Sequence, residues 1–360
     1  MTTFFILVLI AALIAALEYY WSNYGLNALH FRGEADRTLA EPDEVITWNA
    51  SVENRSLLPI PFVRLSETFP IEANLHESDS WIRRYCTRLV TYFIVENKLS
   101  IRPRKRAEHK IRISFSKRGE YFFGDYTLSC GDLLGFRESK KYGEKQSIVV
   151  IPAHTKQQTA LDALGGFLGD ISVRRFILED PILTLGFRDY TGREPMRAIS
   201  WTRTAVTGTM QVKQYDHTAE QHVMILLNTE GASEEELEEC LRLTRTVCEK
   251  LEQKKIPYGF RTNGSVPGPM GAITYMAEGL GQRHLNTILY GLGRASGTYF
   301  YSFRYLAEQT LKHRSSNESY LIITPPLDGC ARAAVRKLEN VVGSGLCILT
   351  ARAEKEEVRQ

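Results

Sequence analysis

The side chains able to act as nucleophiles, bases or metal ligands are scattered along this 360-residue sequence. The six cysteines, Cys86, Cys130, Cys240, Cys248, Cys330 and Cys347, include no CxxC pair. The eight histidines include no HExxH, and the two nearest each other are His217 and His222. Zinc ligation calls for clustered donors, and nucleophilic catalysis calls for a nucleophile within hydrogen-bond reach of a base. The spacing encodes neither. Cys240 and Cys248 recur at helical spacing and read as core. No GxxxxGK[ST] phosphate loop occurs, and Gly279-Leu280-Gly281 and Gly291-Leu292-Gly293 adjoin a helical pattern, so they read as turns or helix ends. One stretch is denser. From Phe187 to Ala205, Arg188, Arg193, Arg197 and Arg203 alternate with Asp189 and Glu194 and with Tyr190 and Trp201. Two roles fit: an ion-pair network around a packed indole that joins two modules, or a docking surface, because Arg, Tyr and Trp dominate binding hot spots. The two are not exclusive.

The elements that must position these residues fall into two kinds. Between residues 30 and 155 the pattern is short and strand-like. Ile111, Ile113 and Phe115 alternate with Arg112, Ser114 and Ser116, and Tyr126, Leu128 and Cys130 alternate with Asp125, Thr127 and Ser129. With the Lys117-Arg118-Gly119-Glu120 turn between them, these two runs are expected to form a hairpin. Further strands are expected over 45–52, 61–69, 89–95 and 148–151, which together suggest a β-sandwich. From 156 onward, apolar runs at 221–228, 257–262, 320–324 and 346–350 alternate with helical patterns at 285–295, 303–312 and 330–342. Ser233 and Glu236 form a capping box ahead of Leu237, Cys240, Leu241, Thr244, Val247, Cys248 and Leu251. Strands alternating with helices predict a largely parallel, doubly wound sheet.

The amino terminus is neither. No ionisable side chain occurs before Glu18, and Phe4 to Leu17 is apolar throughout. About 20 residues span a bilayer core, so Thr3 to Trp21 is adequate, with Tyr19, Tyr20 and Trp21 suited to the headgroup boundary. A cleaved signal peptide would carry a basic n-region and a small-x-small site, and neither is present. Arg32 and Arg37 follow the segment and nothing basic but the terminal amine precedes it, which places the body of the protein in the cytoplasm. Thiols without pairing motifs agree with that. The net charge of +3 on a chain with 24% charged residues argues against a dedicated nucleic-acid binder. One local excess stands out: Arg102, Arg104, Lys105, Arg106, His109, Lys110 and Arg112. It reads as a solvated strand edge or as contact with anionic lipid, with nucleic acid third because no aromatics are interleaved.

The dense stretch, read as a pattern, resembles the signature of the bacterial family called domain of unknown function 58. Arg188, Tyr190, Arg197, Ile199, Trp201, Thr204 and Ala205 match at the family spacing, while Arg193-Glu194 replaces its Gly-Asp step and keeps the acid. Arg118-Gly119-Glu120-Tyr121, Gly124, Asp132-Leu133-Leu134-Gly135-Phe136 and Ile151-Pro152 are similar to its upstream segments. The resemblance implies a membrane-attached protein with a von Willebrand factor A-like carboxy-terminal half. It also implies neighbours encoded beside it: a MoxR-type AAA+ ATPase and a transglutaminase-like membrane protein. In A domains a D-x-S-x-S motif holds Mg²⁺ with hard oxygen ligands. The corresponding positions are Asn228, Glu230 and Ala232, a donor set from which no metal is expected.

The expectation is therefore a multidomain α+β protein: a transmembrane anchor over 1–29, an Ig-like β-sandwich over 30–155, and the signature plus a von Willebrand factor A-like, Rossmann-type α/β domain over 156–360. No cofactor and no catalysis are expected. The function expected is protein interaction at the membrane, through Arg188, Tyr190, Glu194, Arg197, Ile199, Trp201, Thr204 and Ala205. A membrane-associated hydrolase with a dispersed active site is one alternative, and an extracytoplasmic envelope scaffold is another.

Overall fold

A computed structural model describes residues 2–76, 86–131, 138–177, 180–192, 194–216, 222–268, 271–314 and 318–352. The chain is mixed α and β and divides into two compact units, 1–153 and 154–360. The first unit begins with helix α1 (Thr2–Tyr20), continued by a π-helical turn Trp21–Gly25. Its side chains are apolar on every side, so no one stripe can be turned inward, and Phe4, Phe5, Ile6, Leu7 and Leu9 are all exposed. The run Phe4–Gly25 is long and apolar enough to cross a bilayer. Burial starts abruptly at Trp21, whose Nε1 donates to the Pro59 carbonyl at 2.9 Å. Gly25 packs so closely that a Cβ there would lie 2.9 Å from Cys130 Sγ. The helix is thus fastened to the β-strands by its last turn.

Those strands are β1 (Leu29–Ala35), β2 (Leu39–Ala40), β3 (Ile46–Asn54), β4 (Ile60–Pro70), β5 (Asn74–Leu75), β6 (Cys86–Arg88) and β7 (Tyr92–Ile101). They continue with β8 (Arg106–Ser114), β9 (Gly119–Phe123), β10 (Asp125–Gly131), β11 (Glu138–Tyr142) and β12 (Gln146–Val150). Three sheets result, in the orders β1-β3-β8-β5, β11-β10-β4-β7-β6 and β2-β12-β9. Alternate residues from all three, including Ile46, Trp48, Phe69, Phe93, Ile111, Ile113, Phe123 and Ile148, meet in one core. The expected hairpin between 111–116 and 126–130 does not form. Strand β8 pairs with β3 and β5, whereas β10 pairs with β4 and β11 in another sheet, and the intervening β9 joins β12. Alternation identified the strands correctly, but the turn redirects the chain across the core. The strand expected at 89–95 begins at Tyr92 and runs to Ile101.

One polar network crosses this core. Glu67 on β4 is fully buried, accepts from Trp48 Nε1 of β3 at 2.7 Å, and is bonded through its other oxygen to His109 Nε2 of β8. A buried carboxylate is tolerated because both oxygens are engaged. Gly124 lies against the same indole with φ at +78°, and a Cβ there would come 2.6 Å from its ring.

The second unit opens with α2 (Gln158–Ile177), a stretch the sequence analysis leaves unassigned because Gly165, Gly166 and Gly169 dilute its pattern. An antiparallel pair, β13 (Asp180–Asp189) and β14 (Gln211–Asp216), encloses a short helix, α3 (Trp201–Thr207). Then follow β15 (His222–Leu227), α4 (Glu234–Gln253), β16 (Tyr258–Thr262), β17 (Pro267–Gly268), β18 (Gly271–Ala272), β19 (Tyr275–Gly279) and α5 (Gln282–Arg294). Last come α6 (Phe303–Lys312), β20 (Glu318–Thr324), α7 (Gly329–Val342) and β21 (Leu346–Thr350). The sheet order is β19-β16-β15-β20-β21, parallel except for the β19 edge. Met224, Leu226, Tyr320 and Ile322 pack under α6 and α7, and the alternate residues face α4. Helix α4 carries the expected capping box and buries Leu237, Cys240, Leu241, Thr244, Val247, Cys248 and Leu251. Both glycine strings fall at the ends of α5.

Replacing Glu67 with alanine removes the acceptor of the buried Trp48 indole N–H and the bond to His109, and a loss of about 3 kcal/mol is expected. Denaturant unfolding followed by tryptophan fluorescence measures it, and a loss under about 1 kcal/mol would mean that the network does not hold the sheets.

Candidate functional site

Two places in the second unit collect the residues singled out by sequence. The first is the excursion between β13 and β14. Its strands are in register at Phe187↔Lys213, Arg188↔Val212 and Asp189↔Gln211, and the ladder extends to Tyr190 N–H on Met210 O at 2.9 Å and Ser200 N–H on Gln211 O at 2.8 Å. Ile199 is buried and bridges Val212, also buried. Thr204 accepts the Gln211 N–H on its hydroxyl at 3.1 Å, and its carbonyl takes the N–H of Gly208, which closes α3 in the left-handed conformation. Ile199 and Thr204 are therefore framework. So is the acid of the replaced Gly-Asp step: Glu194 accepts from Arg188 Nη1 at 2.6 Å, the Thr191 hydroxyl at 2.7 Å and the Thr191 N–H at 3.1 Å. These bonds, the Thr191 hydroxyl first and Arg188 after it, hold the Glu194 carboxyl down at about 2.

The remaining signature residues face outward. Trp201 is 57% exposed. Arg197 and Ala205 are exposed, and Arg197 makes no hydrogen bond or ion pair among the described residues. Phe187, Met196, Val206 and Met210 of the same stretch are exposed as well, and the Arg203 guanidinium lies 4.9 Å above the Phe187 ring. These four apolar residues are not among the candidates read from the sequence. Their signal was an apolar residue on every turn of a segment otherwise rich in Thr and Arg. Helix α3 has seven residues and buries none of them. A helix that short is marginal alone, so the ladder and the Glu194 turn must hold it. Arg193, His217 and the 132–136 segment lie outside the described residues.

The second place is the carboxyl edge of the parallel sheet, where the strand order reverses between β15 and β20. Open α/β sheets bind ligands at such points. Asn228, just past β15, donates through Nδ2 to Thr324 Oγ1 at 3.0 Å, and its Oδ1 accepts from Asn263 Nδ2 at 2.8 Å and Glu230 N–H at 3.0 Å. Asn263 in turn accepts the Thr229 N–H at 2.9 Å. Glu230 takes the first N–H of α6, from Phe303, at 2.6 Å, where a helix N-terminus favours negative charge. Every polar atom of the Asn228 side chain is committed to protein, Glu230 is drawn to a helix end, and Ala232 offers no side-chain oxygen. These residues do not fit a Mg²⁺ cage. Among the described residues no three His, Cys, Asp or Glu side chains gather as a metal set. The Asn263, Thr229 and Thr324 partners were missed by sequence, although the strand endings Leu227-Asn228-Thr229 and Thr262-Asn263-Gly264 both place an amide just past a buried run. Cys240 and Cys248 are core residues whose thiols burial pushes far up, and burial raises Cys347 to about 11, so none is an activated nucleophile.

Neither a protein-family model nor a curated protein sequence matches the chain. Solved structures similar in part include the Pseudomonas fluorescens alkylpurine DNA glycosylase AlkC bound to DNA containing an abasic site analog, at 8% identity and a TM-score of 0.23. That match covers 34% of this chain and only 30% of the glycosylase. The CARDB domain of a Pyrococcus furiosus protein, in complex with di-metal ions, matches over 34% of this chain and 86% of its own, at 11% identity and a TM-score of 0.21. BcpA, the major pilin subunit of Bacillus cereus, matches over 35% of this chain and 41% of its own, at 5% identity and a TM-score of 0.25. Likeness at this level carries no functional inference.

The Glu194 turn has a pH signature. Its folded pKa lies below the ordinary value of 4.5, so its contribution is complete above that pH and is lost as pH falls toward about 2. Carboxyl NMR titration should place the Glu194 midpoint near 2, and Thr191→Val should move it upward. A midpoint near 4.5 in the parent chain would mean that the turn is not formed.

Proposed function

We propose that this chain is a membrane-anchored binding protein of the domain of unknown function 58 type. In this reading α1 crosses the bilayer and the 30–155 strands are an Ig-like sandwich. The 154–360 unit carries a von Willebrand factor A-like domain, a reading favoured by its strand order and by the polar cluster at the carboxyl edge. Arg32 and Arg37 just beyond the anchor favour a cytoplasmic body. Binding rather than catalysis is the mechanism.

The observation that carries the proposal is the apolar surface on the 187–210 excursion. Trp201, Phe187, Met196, Val206 and Met210 stand exposed on a segment whose framework is held by the Ile199 bridge, the Thr204 bonds and the Glu194 turn. The exposed Trp201, with the exposed Arg197 in the same segment, supplies the residue types that dominate hot spots, and a preorganised anchor loses little entropy on docking. The partner proposed is a protein. The family resemblance points to a MoxR-type AAA+ ATPase first and a transglutaminase-like membrane protein second.

The full chain in detergent should capture a MoxR-type AAA+ ATPase of the same cell. Trp201→Ala should weaken capture by about tenfold or more, as truncating a hot-spot aromatic does. Circular dichroism and thermal midpoint should stay unchanged, because the indole touches little of its own fold. Equal capture by both chains, or capture by neither, would sink the reading.

A further inference from the structure

The first part of the basic cluster noted in the sequence, 102–106, is placed by the fold at the end of the β unit from which α1 leaves, and His109, Lys110 and Arg112 run away from it along β8. Asn54, wholly buried, ties that end together. Its N–H donates to Lys105 O at 3.0 Å, and its amide nitrogen reaches Leu58 O at 2.9 Å, Ile101 O at 3.2 Å and Arg102 O at 3.3 Å. The next residue, Arg55, donates its N–H to Ala28 O at 2.9 Å. Three segments therefore meet here: the chain emerging from the helix, the 55–59 loop whose Pro59 carbonyl holds Trp21, and the 102–105 turn.

The chemistry of this end is cationic. Arg55 and Arg106 are paired with Glu53 and Glu108. Arg102, Arg104 and Lys105 are exposed and make no ion pair among the described residues, a surplus of positive charge beside the exit of the helix. The turn itself is unusual. Lys105 N–H bonds Arg102 O at 3.2 Å, Pro103 occupies the second position, and Arg104 sits third with φ at +52°, where glycine is the favoured residue. An arginine in the left-handed region, with no side-chain hydrogen bond or ion pair among the described residues to offset the strain, points to a demand from outside. Beside it Leu57, two residues before Pro59, is 72% exposed at the tip of its loop.

We propose that this end of the β unit rests on an anionic lipid surface, with Arg102, Arg104 and Lys105 among the headgroups and Leu57 dipping toward the acyl boundary. The proposal rests on the reading of α1 as a membrane span, which brings Pro59 and its loop to the interface. Each cation near an anionic leaflet is worth roughly a fivefold preference, so three give on the order of a hundredfold. The β unit would then be held at a set tilt and would not swing about the end of its helix.

The test reconstitutes the full chain into phosphatidylcholine vesicles with and without phosphatidylglycerol and follows hydrogen–deuterium exchange over 55–59 and 102–106. Exchange there should slow by about tenfold or more with phosphatidylglycerol and recover at about 0.5 M salt, where the Debye length falls to a few ångströms. The Arg102→Gln, Arg104→Gln, Lys105→Gln triple variant should show no such slowing. Arg104→Gly provides a variant that cannot be dismissed as misfolded: it relieves the left-handed strain, so it should raise the thermal midpoint while weakening the lipid-dependent protection about fivefold. A chain retained through alkaline carbonate but exchanging equally in both vesicle types would overturn this proposal and leave the span intact. Release by carbonate would overturn the span, and the proposal with it.

Discussion

Water penalises an exposed large apolar side chain by roughly 1.5–3 kcal/mol, and α1 carries a row of them with no cover from its own fold. Phe4, Phe5, Ile6, Leu7 and Leu9 alone amount to a deficit on the order of 10 kcal/mol, as large as the whole stability of an ordinary domain. The helix is long and apolar enough to cross a bilayer, and the first unit fastens to its last turn. The Trp21 indole bonded to Pro59 and Gly25 pressed against Cys130 turn the last helical turn into part of the β core.

The two units solve the problem of buried polarity differently. In the first, one carboxylate, Glu67, lies inside the core and is satisfied by ring nitrogens from two strands of a facing sheet. In the second, one polar cluster lies at the end of the parallel sheet, where Asn228 and Asn263 close backbone and side-chain donors just past the strand ends, while Glu239 and Arg245 are buried on α4 and bonded to Thr155 and Glu249. The first arrangement registers one sheet on another. The second shapes an edge, and it does so with amides whose bonds are all taken, which is why that edge is unsuited to a hard cation.

The excursion between β13 and β14 has a framework of a third kind. Its order comes from the buried Ile199 bridge to Val212 and from side chains that bond its own backbone, Thr204 on Gln211 and Glu194 on Thr191, which leaves its other apolar residues exposed. The positions singled out in this stretch thus divide physically. Ile199, Thr204 and Arg188 hold the shape, whereas Trp201 and Arg197 are presented by it.

Local periodicity determined most of the elements. The parallel sheet and its helices over 221–350 follow their apolar runs almost residue for residue, the capping box of Ser233 and Glu236 forms as written, and the amino-terminal helix declares itself by the absence of charge. These are properties of neighbouring residues, and neighbouring residues are what a sequence displays. Pairing is not local. That β8 turns to β3 instead of hairpinning onto β10, that Asn54 gathers the basic turn beside the amino-terminal helix, and that Trp201 is left exposed were decided only when distant segments came together. A tryptophan in the sequence signals apolar surface seeking cover; only the tertiary structure decides whether the protein itself provides that cover.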